Sequence, residues 1–190
     1  MLFWADIKER LCRFRDDEKG TILVETVLSL PLLFLALAAS YEFFEVHRYK
    51  SAREKATYTI ADMLSREQNV VTETYIDNTK TLFDEISNDT GTNQIRVSII
   101  RYNASSDQYE IAWSRVRGTG GLAALTTADV ANDHDVLPVM GDGEEVILVE
   151  SNSSYEPLFS LVYSTSIGIE TRVFTSLRFA PQLCFNSCSS

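Results

Sequence analysis

Hydrophobic positions along this chain follow three successive rhythms. From Ile22 to Tyr41 they are almost continuous, and those twenty residues carry a single charge, Glu25. A helix rising ~1.5 Å per residue would cover the ~30 Å hydrocarbon core of a bilayer with that length, so a membrane helix is predicted. Pro31 falls in its middle, where it removes one backbone donor and leaves the Val27 carbonyl without its usual partner; a helix kink is expected there. Beyond Tyr41 the apolar positions thin to helical spacing at Val46, Tyr49, Ala52, Ala56, Ile60 and Met63, with Arg48, Lys50, Arg53, Glu54 and Lys55 mostly on other faces. One continuous helix from about Ile22 to Ser65 is predicted, apolar at its start and amphipathic afterwards, with its second half packed on a globular head like the stick of a lollipop.

Residues 70–87, "VVTETYIDNTKTLFDEIS", read as a second helix with Val71, Tyr75, Leu82, Phe83 and Ile86 on one broad face. The period then changes to two. In "QIRVSII" the alternation puts Ile95, Val97 and Ile99 on one face, and in "QYEIAWSRV" it puts Tyr109, Ile111 and Trp113 on a matching one. The turn-rich residues 103–107 join them as a hairpin. "EEVILVES" is an apolar run suited to a strand covered on both faces, and Ile167, Ile169, Thr171, Val173, Thr175, Leu177 and Phe179 alternate again. An α+β head follows, with an antiparallel sheet of about four strands packed on helix. Residues 118–143, with glycine, aspartate and a short helix candidate in "LTTADVAN", are expected to form a surface insertion.

Composition narrows the function. The chain has 190 residues, room for a membrane helix and one domain. Its net charge of -10 is unevenly placed: residues 1–20 hold five basic and five acidic side chains, Glu25 adds one negative charge, and residues 42–190 carry the other nine. Such a surface repels phosphate, which excludes nucleic acid as a partner. Three cysteines divide by position. Cys184 and Cys188 suit an oxidising compartment, where a disulfide between them is expected, and Cys12 suits a reducing one. Five Lys/Arg precede the apolar segment and four follow closely, so charge alone barely orients it; the cysteines favour an exported C-terminus.

Few residues suggest chemistry beyond association. "RGTGGLAAL", residues 117–125, lacks the full glycine fingerprint and the lysine of a phosphate-binding loop, and a mobile turn is expected instead. Asp133, His134, Asp135, Asp142, Glu144 and Glu145 offer metal-type ligands, but their spacing does not match a calcium loop; a solvated acidic loop without metal is expected. His47 reads as an interfacial side chain. No Ser/His/Asp or Cys/His arrangement can be assembled, so neither an enzyme nor a cofactor is expected.

The charged leader ending in Gly20, then Thr21-Ile22-Leu23-Val24-Glu25 and a hydrophobic helix, resembles a type IV prepilin. The Val24-Glu25 step, the Leu30-Pro31-Leu32-Leu33 stretch, "GEEVILVESNSSYEPLF" and "RFAP" are similar to the TadE/TadF-like minor pseudopilins of tight-adherence (Flp) pilus machinery. The position after the glutamate, bulky or aromatic in that family, is Thr26 here. The resemblance implies a leader over 1–20 cut between Gly20 and Thr21 by a prepilin peptidase, a transmembrane and extended helix over 21–67, and a periplasmic head over 68–190. It implies a single-pass inner-membrane protein whose partners are other pilins and pseudopilins and the inner-membrane assembly platform, and a role in pilus assembly. Glu25 would then neutralise the new amino group on a neighbouring subunit's Thr21 and set assembly register. Two alternatives stand beside it. Signal-peptidase cleavage at Ala36-Leu37-Ala38 would release a periplasmic binding domain, and the acidic loop would serve an anchored metal-dependent enzyme.

Overall fold

Helix α1 runs from Lys19 to Ser65, 47 residues, in the computed structural model, which describes residues 13, 19–88, 91–159 and 165–188. The chain divides into two units, Met1–Phe44 and Glu45–Ser190. In the first, α1 is long and apolar enough to cross a membrane, and its apolar stretch is not buried. Pro31 sits inside the helix without ending it. The hydroxyls of this stretch are satisfied by the helix itself: Thr26 Oγ1 donates to the Ile22 carbonyl at 2.7 Å and Ser40 Oγ to that of Ala36 at 2.8 Å. Apolar surroundings therefore leave neither hydroxyl without an acceptor.

The second unit is α+β. After α1 come α2 (Glu73–Ser87), β1 (Asn93–Asn103), β2 (Gln108–Gly118), the single turn α3 (Thr127–Val130), β3 (Glu145–Tyr155) and β4 (Ile167–Ser176). Thr72 caps α2 by accepting from the Tyr75 backbone N–H at 3.2 Å, and Asn88, in the left-handed conformation at φ 52°, closes its other end. The four strands form one antiparallel sheet in the order β2-β1-β3-β4. On one face, Ile95, Val97, Ile99, Ile147, Val149 and Val173 pack with Ala56, Ile60, Ala61 and Leu64 of α1 and Ile76 and Phe83 of α2. On the other, Ile100, Val146 and Leu148 meet Val130, Leu137 and Met140. The central strands β1 and β3 are thus covered on both sides, which is why "EEVILVES" lacks alternation.

Four expectations change. Tyr109, Ile111 and Trp113 do not share a face. Ile99 pairs with Trp113 but Ile100 with Ile111, so Ala112 is an extra residue in β2. This bulge turns Trp113 toward the helices while Tyr109 and Ile111 stay with the second core. Residues 118–143 are not a surface insertion only, because their isolated apolar side chains seal the second sheet face. Arg53 does not lie on an outer helix face; it is 1% exposed. Finally, β4 ends at Ser176, and the alternation read through Phe179 overshoots, that ring being 62% exposed.

Candidate functional site

The first candidate is the apolar half of α1. Large side chains from Ile22 to Leu37 are 45% to 68% exposed, a density of apolar surface that water does not tolerate without a covering partner or lipid. Glu25 is exposed among them, and no ion pair reaches it among the described residues. Residues 21 and 25 stand four apart and therefore one turn apart on one side of the helix. Gly20 is exposed, and a Cβ built on it meets nothing within 4 Å. Residues 1–18, Arg13 apart, and with them Cys12, lie outside the described residues.

The second candidate is the polar seam between α1 and the sheet. Arg53 lies with its guanidinium 3.0 Å from the Tyr49 ring centroid and donates to the Tyr49 carbonyl at 3.2 Å and to Asn93 Oδ1 at 3.4 Å. Tyr49 in turn donates its hydroxyl to the Ser154 carbonyl at 2.9 Å. Below them the hydroxyls of Thr57, Thr171 and Ser151 form a chain, at 2.8 Å and 2.6 Å. These contacts are buried and largely saturated, and they fix the angle and register at which the helix meets β3 and β4.

The third is a strap at the C-terminus. Cys184 and Cys188 form a disulfide. Phe185, between them, lies 5.3 Å from the Trp113 ring and under the Arg115 guanidinium at 4.0 Å. The strap pairs with the α1–α2 connection, since Val71 N–H donates to the Cys184 carbonyl and Asn186 N–H to the Val71 carbonyl, both at 2.9 Å. Together with Arg101, Ala112, Glu145 and Gln182 it lines an open pocket of about 220 Å³.

Four of the residues weighed for metal chemistry have structural partners. Glu145, counted above with the acidic loop, is 3% exposed, pairs with Arg101 and accepts from the Leu183 N–H at 3.0 Å. Glu144 accepts from the Gly141 N–H at 2.8 Å, Asp142 from that of Ala104 at 2.9 Å, and His134 packs on the Tyr109 ring at 5.2 Å. Among the described residues no three His, Cys, Asp or Glu side chains gather as a ligand set. The glycine-rich loop is held rather than free. The Gln94 amide accepts from the Leu122 N–H at 2.7 Å and donates to its carbonyl at 2.8 Å, as a neighbouring strand would. Arg96 donates to the Ala123 carbonyl at 2.7 Å. His47 stands on the exposed surface of α1.

Outside the apolar segment a few groups titrate abnormally. Burial, aided by the Glu67 carboxylate, raises Tyr75 to about 12, and backbone N–H donation from Asn69 holds Glu67 below the ordinary carboxylate range. Hydrogen bonds to Asp77 and Glu73 raise Arg117. No family model matches the chain, and neither the curated proteins nor the solved structures contain a match to it.

Proposed function

We propose that this chain is a TadE/TadF-like minor pseudopilin of a tight-adherence pilus assembly system. It is made as a precursor, cut between Gly20 and Thr21, held in the bacterial inner membrane by the apolar half of α1, and carries its α+β domain in the periplasm. Its chemistry is association: the helix recruits other pilins, pseudopilins and the assembly platform, and no catalytic step is assigned to it.

One observation carries this reading. Exposed apolar residues from Ile22 to Leu37 are interrupted by a single carboxylate, Glu25, one helical turn from position 21. A membrane anchor alone needs no such charge, which costs up to ~2.5–3.5 kcal/mol at a bilayer centre and less toward its edge. A charge retained at that cost is accounted for by a cationic partner, and the amino group freed at Thr21 of a neighbouring copy supplies one. The open space around Gly20 favours the same reading, because a peptidase needs the backbone bare at the cut.

N-terminal sequencing of the chain recovered from membranes tests it. The expected mature terminus is Thr21, and Gly20→Val is expected to accumulate as precursor. A terminus at Ala39 on a soluble product would establish the released domain instead. Maturation of Gly20→Val to the same mass as the mature wild-type chain would overturn the leader.

A further inference from the structure

The bulge at Ala112 and the C-terminal strap together shape the open pocket of about 220 Å³ beside β1 and β2. Trp113 and Phe185, whose rings lie 5.3 Å apart, line it, and so do two guanidinium-bearing residues on neighbouring strands, Arg101 of β1 and Arg115 of β2. The indole N–H is already donated to the Leu183 carbonyl, so Trp113 offers the pocket an apolar surface only.

Neither arginine is saturated. A guanidinium carries five N–H donors in one plane. Arg101 donates through Nε and Nη2 to one oxygen of Glu145, whose other oxygen accepts from the Leu183 N–H at 3.0 Å; its Nη1 makes no hydrogen bond among the described residues. Arg115 lies over the Phe185 ring at 4.0 Å, donates through Nη1 to the Ser114 carbonyl at 2.9 Å and stands 3.4 Å by Nε from Glu73, a carboxylate shared with Arg117; its Nη2 makes no hydrogen bond among the described residues. The two side chains are 40% and 38% exposed, so a ligand from solvent can reach both.

The buried Glu145 accounts for Arg101 as an ion-pair partner, but not for two guanidiniums with open donors bordering one aromatic-lined pocket. Two cations and one carboxylate line it, a local excess of one positive charge on a chain of net charge -10. The field of the whole chain repels a polyanion, whereas one carboxylate on an apolar body matches both the local charge and the rings. The volume lies below the ~300–1,000 Å³ of ordinary cofactor sites and suits a single residue. We propose that this pocket binds one carboxylate-bearing residue of a peptide, its charge on Arg101 and Arg115 and its apolar part against Trp113 and Phe185. An acidic side chain and a chain terminus present the same group there. The inference is independent of the pilus assignment.

NMR of the full-length chain, isotopically labelled at tryptophan and held in non-ionic detergent micelles, tests it; Trp113→Phe identifies the Trp113 indole signal. The probes are N-acetyl-leucine, with a terminal carboxylate, N-acetyl-isoglutamine, with a side-chain carboxylate, and the uncharged N-acetyl-leucinamide. The Trp113 signal is expected to shift saturably with at least one carboxylate and not with the amide, and the tighter of the two carboxylates identifies the source. Arg115→Gln leaves the Arg101–Glu145 pair intact and is expected to weaken binding about tenfold, the loss of one charge-assisted hydrogen bond. No saturable shift with either carboxylate would overturn the proposal. An equal shift with the amide or with sodium chloride, or unchanged binding in Arg115→Gln, would overturn it as well.

Discussion

Trp113 Nε1 donates to the Leu183 carbonyl at 2.6 Å, a buried hydrogen bond spanning 70 residues of chain. It joins the bulged strand of the sheet to the disulfide-closed strap, and it exists only because the extra residue Ala112 turns the indole inward. Trp113→Phe keeps most of the ring packing but leaves that carbonyl without its donor, a loss of about 1–3 kcal/mol. The expected result is a lower urea midpoint with an unchanged slope. A midpoint equal to wild type would mean that this hydrogen bond adds nothing to the stability of the domain.

How much of this was legible in the sequence follows from which contacts are local. The helices, the hairpin and the doubly covered strand 145–155 announce themselves by period, because each is set by neighbours a few residues apart. The face of Trp113 was not legible, since a one-residue bulge reverses the alternation and Ala112 carries no mark of it. Nor was the burial of Arg53: its neighbours include Asn93, forty residues away, and Tyr49, whose ring reads as one more apolar stripe position. Residues 118–143 look like loop because Val130, Leu137 and Met140 stand singly among polar neighbours, and only the sheet face opposite gives them a role. Of the candidate sites, the Gly20–Glu25 pattern is wholly a sequence signal, whereas the seam of Tyr49, Arg53 and Asn93 depends on tertiary approach.

The row Arg96, Glu150 and Arg172 crosses three neighbouring strands in register. Arg96 Nε donates to Glu150 Oε2 at 2.6 Å and Arg172 Nε to Oε1 at 2.9 Å. Glu150→Ala leaves the buried Arg96 cation without its carboxylate and is expected to cost about 3–5 kcal/mol. Arg172, whose side chain is 48% exposed, is expected to cost at most about 1 kcal/mol when changed to Gln, because water screens what it loses. Thermal unfolding of the two variants compares them directly, and equal losses would contradict the burial argument.

Tyr75 and Glu67 make stability depend on pH at both ends of the scale. Burial and the nearby Glu67 carboxylate raise the folded Tyr75 phenol to about 12, so above ~10 the unfolded chain ionises first. Its contribution is complete below the unfolded value and is lost as pH rises from there through about 12. Glu67 has the opposite sign: its folded value is lowered, so its contribution is present above the ordinary carboxylate range and is lost as pH falls through the lowered value. Glu67→Gln should bring the phenol down toward the ordinary value. Ultraviolet titration of tyrosine ionisation checks this, and an unshifted high-pH transition in the variant would remove Glu67 as a cause.

Glu25→Gln separates an assembly role from a merely tolerated charge. The substitution keeps size and part of the hydrogen-bonding capacity while removing the charge whose desolvation opposes insertion. Membrane residence is therefore expected to persist or rise, and cleavage after Gly20 to continue, since the scissile bond is untouched. What should fall is association with other pilin-like chains, because the amino group at Thr21 of a neighbour no longer meets an anion. Crosslinking in membranes from wild-type and Glu25→Gln cells at matched protein levels measures this. Equal crosslinked yield would assign Glu25 to the lipid interface, where a carboxylate one turn into the helix snorkels to the headgroups and binds no subunit.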